Sequence, residues 1–320
     1  MHPDPPSPWP AADTPEAAAA FLRDDAALRP GVDAICAANG LACLPITRFA
    51  AGSLPVYAIG TERVLKVYPP PWSHEQRREA LVLSVLGGRL PIPTPALIVT
   101  GDLAGWTWCL MVQLHGASLA ARWSALDDRA AVAAAVGRCL AALHAVDDPR
   151  LADLDREGIE GEDPAAFLDV QRRTAVDRQR ARGLDDAWLD QISGFLERNP
   201  VPAGPPVLLH TELMRDHLLV DVASDRLTGL FDFEPSMLGP AEYELSSVGL
   251  FVTGGDPRLF RILLLAYGLQ PADLGPEFER RILACALLHR YSNFPWYLRR
   301  VPPPPGTATL EDLARAWFGT

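Results

Sequence analysis

Val207-Leu-Leu-His210-Thr-Glu212-Leu-Met-Arg-Asp216-His217-Leu-Leu-Val-Asp221, followed further on by Asp232-Phe233-Glu234, is the stretch on which the reading of this 320-residue chain turns. Its apolar runs, Val207–Leu209, Leu218–Val220 and 227–231, are short, rich in β-formers and bounded by polar turns, so they predict strands. The polar residues then fall at strand ends. A loop braced between two such strands can hold His210, Glu212 and His217 close to Asp232, where the third run stops. Phosphoryl transfer asks for little else: a carboxylate beside the attacking hydroxyl, a second carboxylate on magnesium, and another metal ligand between them. Glu212, Asp232 and His217 suit those roles in that order, with His210 holding the loop through hydrogen bonds.

The same stretch resembles the aminoglycoside phosphotransferase family, relatives of the protein kinases that include choline-kinase-like enzymes. There the loop usually runs His-Gly-Asp-Leu with an Asn five residues after the Asp. The spacing here is the same, but Glu212 stands where the family has its catalytic Asp and His217 where it has its metal-binding Asn. Either exchange keeps a usable group, since Glu is an Asp with one more methylene and a neutral His nitrogen can accept or ligate. Because catalysis of this kind is mostly positional, a displaced base costs less than a lost metal ligand, and Asp232 carries the most weight.

The resemblance implies an α+β, protein-kinase-like two-lobe fold, with a small β-rich N-lobe and a larger, mainly helical C-lobe. It also implies ATP or GTP as donor, Mg2+ as cofactor, and a small-molecule alcohol as acceptor. It spans about residues 44–298 and is nearest the hygromycin B branch, which has a similar lysine strand and a similar Leu-His helix ending.

A second signal is lysine usage: the chain has 28 Arg and one Lys, and that Lys66 lies in the strand Arg63-Val-Leu-Lys66-Val-Tyr68. Glu79 opens the apolar-periodic segment 80–86 and is placed to reach Lys66, as the kinase fold pairs its strand lysine with a helix glutamate; Glu75 is the fallback partner. Upstream, residues 49–60 predict a hairpin whose turn, with Ser53, could lay N–H groups and a hydroxyl over phosphate. A plain hairpin is the favoured alternative. Downstream, residues 106–114 predict a buried strand. The kinase fold has its hinge there, with backbone groups of Gln113 and Leu114 hydrogen-bonding a purine.

Composition sets the frame. A hydrophobic fraction of 48% marks a globular chain long enough for two cores. There is no apolar run near 18 residues, and the start, Met1-His-Pro-Asp-Pro-Pro, lacks the basic and apolar parts of a signal peptide, so no membrane span and a cytoplasmic protein are expected. Five scattered cysteines, none in a CxxC pair, argue against a disulfide framework or zinc knuckle. Net charge is −11 overall and by segment −4 (1–40), +2 (41–114), −5 (115–200) and −4 (201–320). An acidic larger lobe repels nucleic acid and attracts a polycation such as an aminoglycoside. A monomer or weak dimer is expected.

Along the chain, residues 1–40 predict a helical extension, 41–114 the nucleotide-binding N-lobe, and 115–320 the C-lobe. Within the extension, the pattern predicts one helix over 15–28 and another from Pro30 to residue 39. Residues 127–146 predict a helix ending Leu140-Ala-Ala-Leu143-His144, and 150–200 a charged helical pair whose Asp163, Asp169 and Asp177 either meet substrate or form a solvated face. Glu244 matches the family acid that braces the catalytic loop through backbone N–H groups. Helices are expected around 257–268 and 276–298, and Thr309 with Asp312 has capping-box spacing for a last helix through Phe318.

These residues admit three functions. The first is a small-molecule O-phosphotransferase acting on an antibiotic, an aminoglycoside or related amino-sugar or nucleoside compound, with choline or a sugar as competing acceptors. The second is a catalytically impaired, nucleotide-binding pseudokinase. The third is a zinc site of His210, Glu212 and His217.

Overall fold

The computed structural model describes residues 7–154, 164–202 and 204–320. Asp163, offered above as a substrate contact, lies outside them. The chain divides into two compact units, Met1–Gly87 with Thr94–Leu114, and Gly88–Pro93 with His115–Thr320.

The first unit runs α1 (Pro15–Phe21), α2 (Asp25–Ala38), β1 (Ile46–Arg48), β2 (Val56–Ile59), β3 (Arg63–Tyr68), α3 (Ser73–Leu86), β4 (Leu97–Leu103) and β5 (Trp106–Val112). The strands form one antiparallel sheet in the order β1-β2-β3-β5-β4. Successive strand residues face opposite sides, and the two faces have different partners. Leu65 and Val67 of β3 join Tyr57, Ile59, Trp106, Trp108 and Leu110 in a core closed by Leu28, Val32 and Ile35 of α2. Trp9 completes it, stacking on Trp106 with ring centroids 4.8 Å apart and donating its indole N–H to the Leu103 carbonyl at 2.8 Å. Trp9, Ala12, Ala18 and the buried face of α2 therefore supply one wall of the sheet's core.

The helix boundary expected at Pro30 falls elsewhere. The Asp24 side chain accepts the Ala27 N–H and starts α2 before the proline, which sits inside the helix. Leu28, Val32 and Ile35, one face at helical spacing, bury against the sheet strongly enough to carry the missing backbone hydrogen bond.

In the second unit come β6 (Ala117–Ser118), α4 (Leu119–Arg122), α5 (Arg129–His144), α6 (Pro164–Ala181), α7 (Asp186–Arg198), β7 (Val207–Leu209), β8 (Leu218–Val220), β9 (Leu227–Leu230) and β10 (Met237–Gly239). The helices α8 (Ala241–Phe251), α9 (Pro257–Tyr267), α10 (Pro276–Leu288), α11 (Phe294–Arg300) and α12 (Leu310–Phe318) follow. Its strands make a three-stranded sheet, β6-β8-β9, and the pair β10-β7. Helices α5 and α9 approach closely at Gly137, where an added Cβ would lie 2.2 Å from the Leu263 carbonyl oxygen. The helix expected over 276–298 is two helices, and the break at 289–293 turns His289 inward. Asn293 caps α11 by accepting the Trp296 N–H, and Pro295 stands in its first turn, both ordinary signs of a helix start.

Candidate active site

In the first unit the face of β3 opposite the core carries Lys66. Its Nζ lies 3.0 Å from Glu79 Oε2, both side chains buried. Tyr68, two residues along the same face, donates its hydroxyl to the same carboxylate and sets its ring 5.5 Å from the lysine ammonium. A buried ammonium needs such a partner, because an unpaired charge out of water costs several kcal/mol. Helix α3 begins at Ser73, earlier than the apolar pattern suggested, so Glu75 and Glu79 are both helical and Glu79 is the one that meets Lys66.

Ser53 is exposed in the turn ahead of β2. At the end of β5, in the segment expected to be the hinge, the Gln113 N–H is donated to the Glu62 carbonyl at 2.9 Å, which leaves the Gln113 carbonyl as its backbone group for a base. The Leu114 backbone has no hydrogen-bond partner among the described residues.

In the second unit, β7 delivers His210 and β9 delivers Asp232. His210 is fully buried; its Nε2–H donates to the Phe231 carbonyl at 3.0 Å, and burial lowers its pKa. Its role is to tie the end of β7 to the end of β9. The zinc set of His210, Glu212 and His217 does not assemble among the described residues; the group that does come together is Glu212, His217 and Asp232.

The clamp on the loop is Glu244 of α8. Its Oε2 accepts the backbone N–H groups of His210 at 2.5 Å and Thr211 at 3.2 Å. Burial works against its charge, but the His144 imidazole 4.0 Å away, the field of His210 and the Thr211 N–H outweigh that and hold its pKa below the usual value.

Thr211 is the residue that sequence reasoning missed. It has φ +67°, a left-handed conformation unusual for a β-branched side chain. Strain of this kind persists only where neighbours over-determine it. Here, besides the Glu244 contact, the Thr211 hydroxyl donates to the Pro235 carbonyl at 3.0 Å, and its carbonyl accepts from His289 Nε2 at 2.9 Å and Ser247 Oγ at 3.2 Å. Burial pushes the His289 pKa down to about 4, so the ring donates to Thr211 as a neutral imidazole while its Nδ1 accepts the Tyr291 N–H at 3.3 Å. The Asn293-Phe294-Pro295 helix start was the signal that could have exposed His289.

Held this way, Glu212, His217 and Asp232 come together, each offering a ligand atom within 4.8 Å of the others. Asp232 also sits at positive φ, +77°. His217 Nδ1 lies 2.7 Å from the Glu212 carbonyl, which assigns the proton to Nδ1 and turns Nε2 toward Asp232 Oδ2 at 3.2 Å. Two carboxylates within that radius repel by about 3 kcal/mol or more at an effective dielectric near 20; a shared dication converts the repulsion into binding. Adjacent ligands about 2.1 Å from a six-coordinate ion are about 3 Å apart, close to the observed Nε2–Oδ2 separation. The donor set fits a divalent cation.

A family model described as the phosphotransferase enzyme family (APH) matches residues 45–281. The chain belongs to that family, and as an enzyme it is a kinase-type phosphotransferase acting on hydroxyl groups. Among solved structures it is similar to the GDP and kanamycin complex of APH(2")-IIia, at 16% identity, TM-score 0.67 and coverage of 81% of this chain and 89% of that one. It is also similar to macrolide 2'-phosphotransferase MphH from Brachybacterium faecium, at 20% identity, TM-score 0.59 and coverage of 85% and 99%. A third is the streptomycin-ATP-APH(2")-IIa ternary complex, at 16% identity, TM-score 0.57 and coverage of 89% and 98%. At these identities the likeness is one of fold: a small antiparallel N-lobe and a helical C-lobe.

Proposed function

We propose that the protein moves the γ-phosphate of ATP or GTP to a hydroxyl of a small-molecule antibiotic, an aminoglycoside or a related amino-sugar or nucleoside compound, in a resistance or self-resistance role in the cytoplasm, as a monomer or weak dimer. The observation that carries the reading is the convergence of Glu212, His217 and Asp232 on a loop clamped by Glu244. Solved neighbours whose names include kanamycin, gentamicin, streptomycin and macrolides support the acceptor class, and those holding GDP, ADP or ATP support the donor.

In this reading Lys66, fixed by Glu79, takes the α- and β-phosphates, Ser53 contributes its hydroxyl, and the Leu114 backbone meets the base. His217 and Asp232 hold a divalent cation, which when bound neutralises charge on the phosphate oxygens. Glu212 orients the acceptor hydroxyl and receives its proton. His210 and Thr211 keep those groups in place.

The test is nucleotide turnover by the wild type, Asp232→Asn and Lys66→Ala across a panel of hydroxylated antibiotics, with choline and sugars included. Loss of about 10²-fold or more in both variants is expected. Equal turnover in all three proteins refutes the mechanism, and nucleotide binding with no turnover on any acceptor favours the pseudokinase.

A further inference from the structure

We infer that the Glu212–His217–Asp232 site prefers a first-row transition dication of the Mn²⁺ kind over Mg²⁺. The inference rests on the proposed function only in using the same three residues. It starts from the donor set, which is the His217 imidazole nitrogen and the Asp232 carboxylate, with the Glu212 carboxylate beside them on the acceptor side, the ligand atoms of all three within 4.8 Å of each other. Mg²⁺ is small and hard, binds oxygen and gives up water reluctantly, whereas imidazole is a good donor to transition ions.

The imidazole is also prepared for the task. Its Nδ1–H is held by the Glu212 carbonyl at 2.7 Å, a contact that fixes the ring's orientation and leaves the opposite nitrogen as the ligating one. That nitrogen, Nε2, faces Asp232 Oδ2 at 3.2 Å, near the spacing of neighbouring ligands on one ion. The ring also has two aromatic neighbours, its centroid 5.9 Å from that of His210 and 5.9 Å from that of Phe231. A side chain packed beside these rings and held at Nδ1 loses little entropy when Nε2 ligates. The same position filled by an amide oxygen would offer Mg²⁺ and Mn²⁺ similar chemistry; a nitrogen separates them.

The experiment titrates Mn²⁺ into the full chain, alone and with ADP, and follows it by electron paramagnetic resonance in imidazole-free buffer. Pulsed measurements on the bound ion are expected to show coupling to a directly ligated nitrogen in the wild type and none in His217→Asn, with circular dichroism confirming that the variant is folded. Half-displacement of Mn²⁺ should need at least about a tenfold excess of Mg²⁺ in the wild type, an advantage lost in His217→Asn. Absence of nitrogen coupling in the wild type under both conditions overturns the inference. So does coupling retained in the variant, or displacement of Mn²⁺ by an equal concentration of Mg²⁺. Failure of the phosphotransferase reading shows separately, as absence of nucleotide turnover with either ion; turnover supported by Mg²⁺ at an oxygen-only ion sinks this inference and leaves that reading standing.

Discussion

Exchanging His289 for Gln should make the protein less sensitive to acid, by an amount that follows from where the ring sits. His289 is buried, and its pKa is pushed from the ordinary 6.5 to about 4. A group depressed in the folded state is protonated first in the unfolded chain, so its neutral form contributes full stability above about pH 6.5 and loses it as pH falls toward 4. Between pH 7.5 and pH 4.5 that difference amounts to about 2 to 3 kcal/mol. Glutamine keeps a donor for the Thr211 carbonyl and an acceptor for the Tyr291 N–H, the two bonds the imidazole makes, and does not titrate. Urea denaturation of both proteins at the two pH values, followed by tryptophan fluorescence, reads the effect directly. Lowered pKa values at His210 and Glu244 act in the same direction, but they are common to both proteins and cancel in the comparison. The loss between the two pH values should be smaller in His289→Gln by that same amount; identical losses would show that the ring is not held neutral against Thr211.

Removing the clamp should be costly: Glu244→Ala leaves the His210 and Thr211 N–H groups buried and unbonded, and a fall in stability of about 2 to 5 kcal/mol is expected in the same denaturation assay, with Glu244→Gln, which keeps an accepting oxygen, losing less. Thiol chemistry offers an independent check of the fold. Cys43 is exposed while Cys36, Cys109, Cys139 and Cys285 are buried, the Cys109 and Cys139 thiols pushed up to about 12. A thiol reagent at pH 8 should therefore modify one cysteine quickly in the native protein and all five after denaturation; rapid native reaction at several would contradict the packing.

Much of the site is local enough to be read along the chain. The strands Val207–Leu209 and Leu218–Val220 fall where the apolar runs end, because a run bounded by polar turns leaves few other ways to bury its side chains. Lys66 and Glu79 meet because the period of a strand and that of a helix put them on facing sides of β3 and α3. The finer likeness to the hygromycin B branch rests on sequence alone.

Sequence by itself determined the short strands and the residue types available for chemistry, through periodicity and spacing, and the two-lobe architecture and the family through the resemblance that the 207–234 stretch carries. Tertiary structure decided the rest. The left-handed turn at Thr211 exists because His289, 78 residues away in the chain, and Glu244, 33 residues away, bond its backbone; no local pattern calls for that conformation. The Gln113 N–H was spent on Glu62 through strand register, and His210 braces Phe231 while Asp232 joins Glu212 and His217. Hydrogen-bond partners across such separations depend on how whole elements pack, and packing is a property of the folded chain that short-range pattern does not contain.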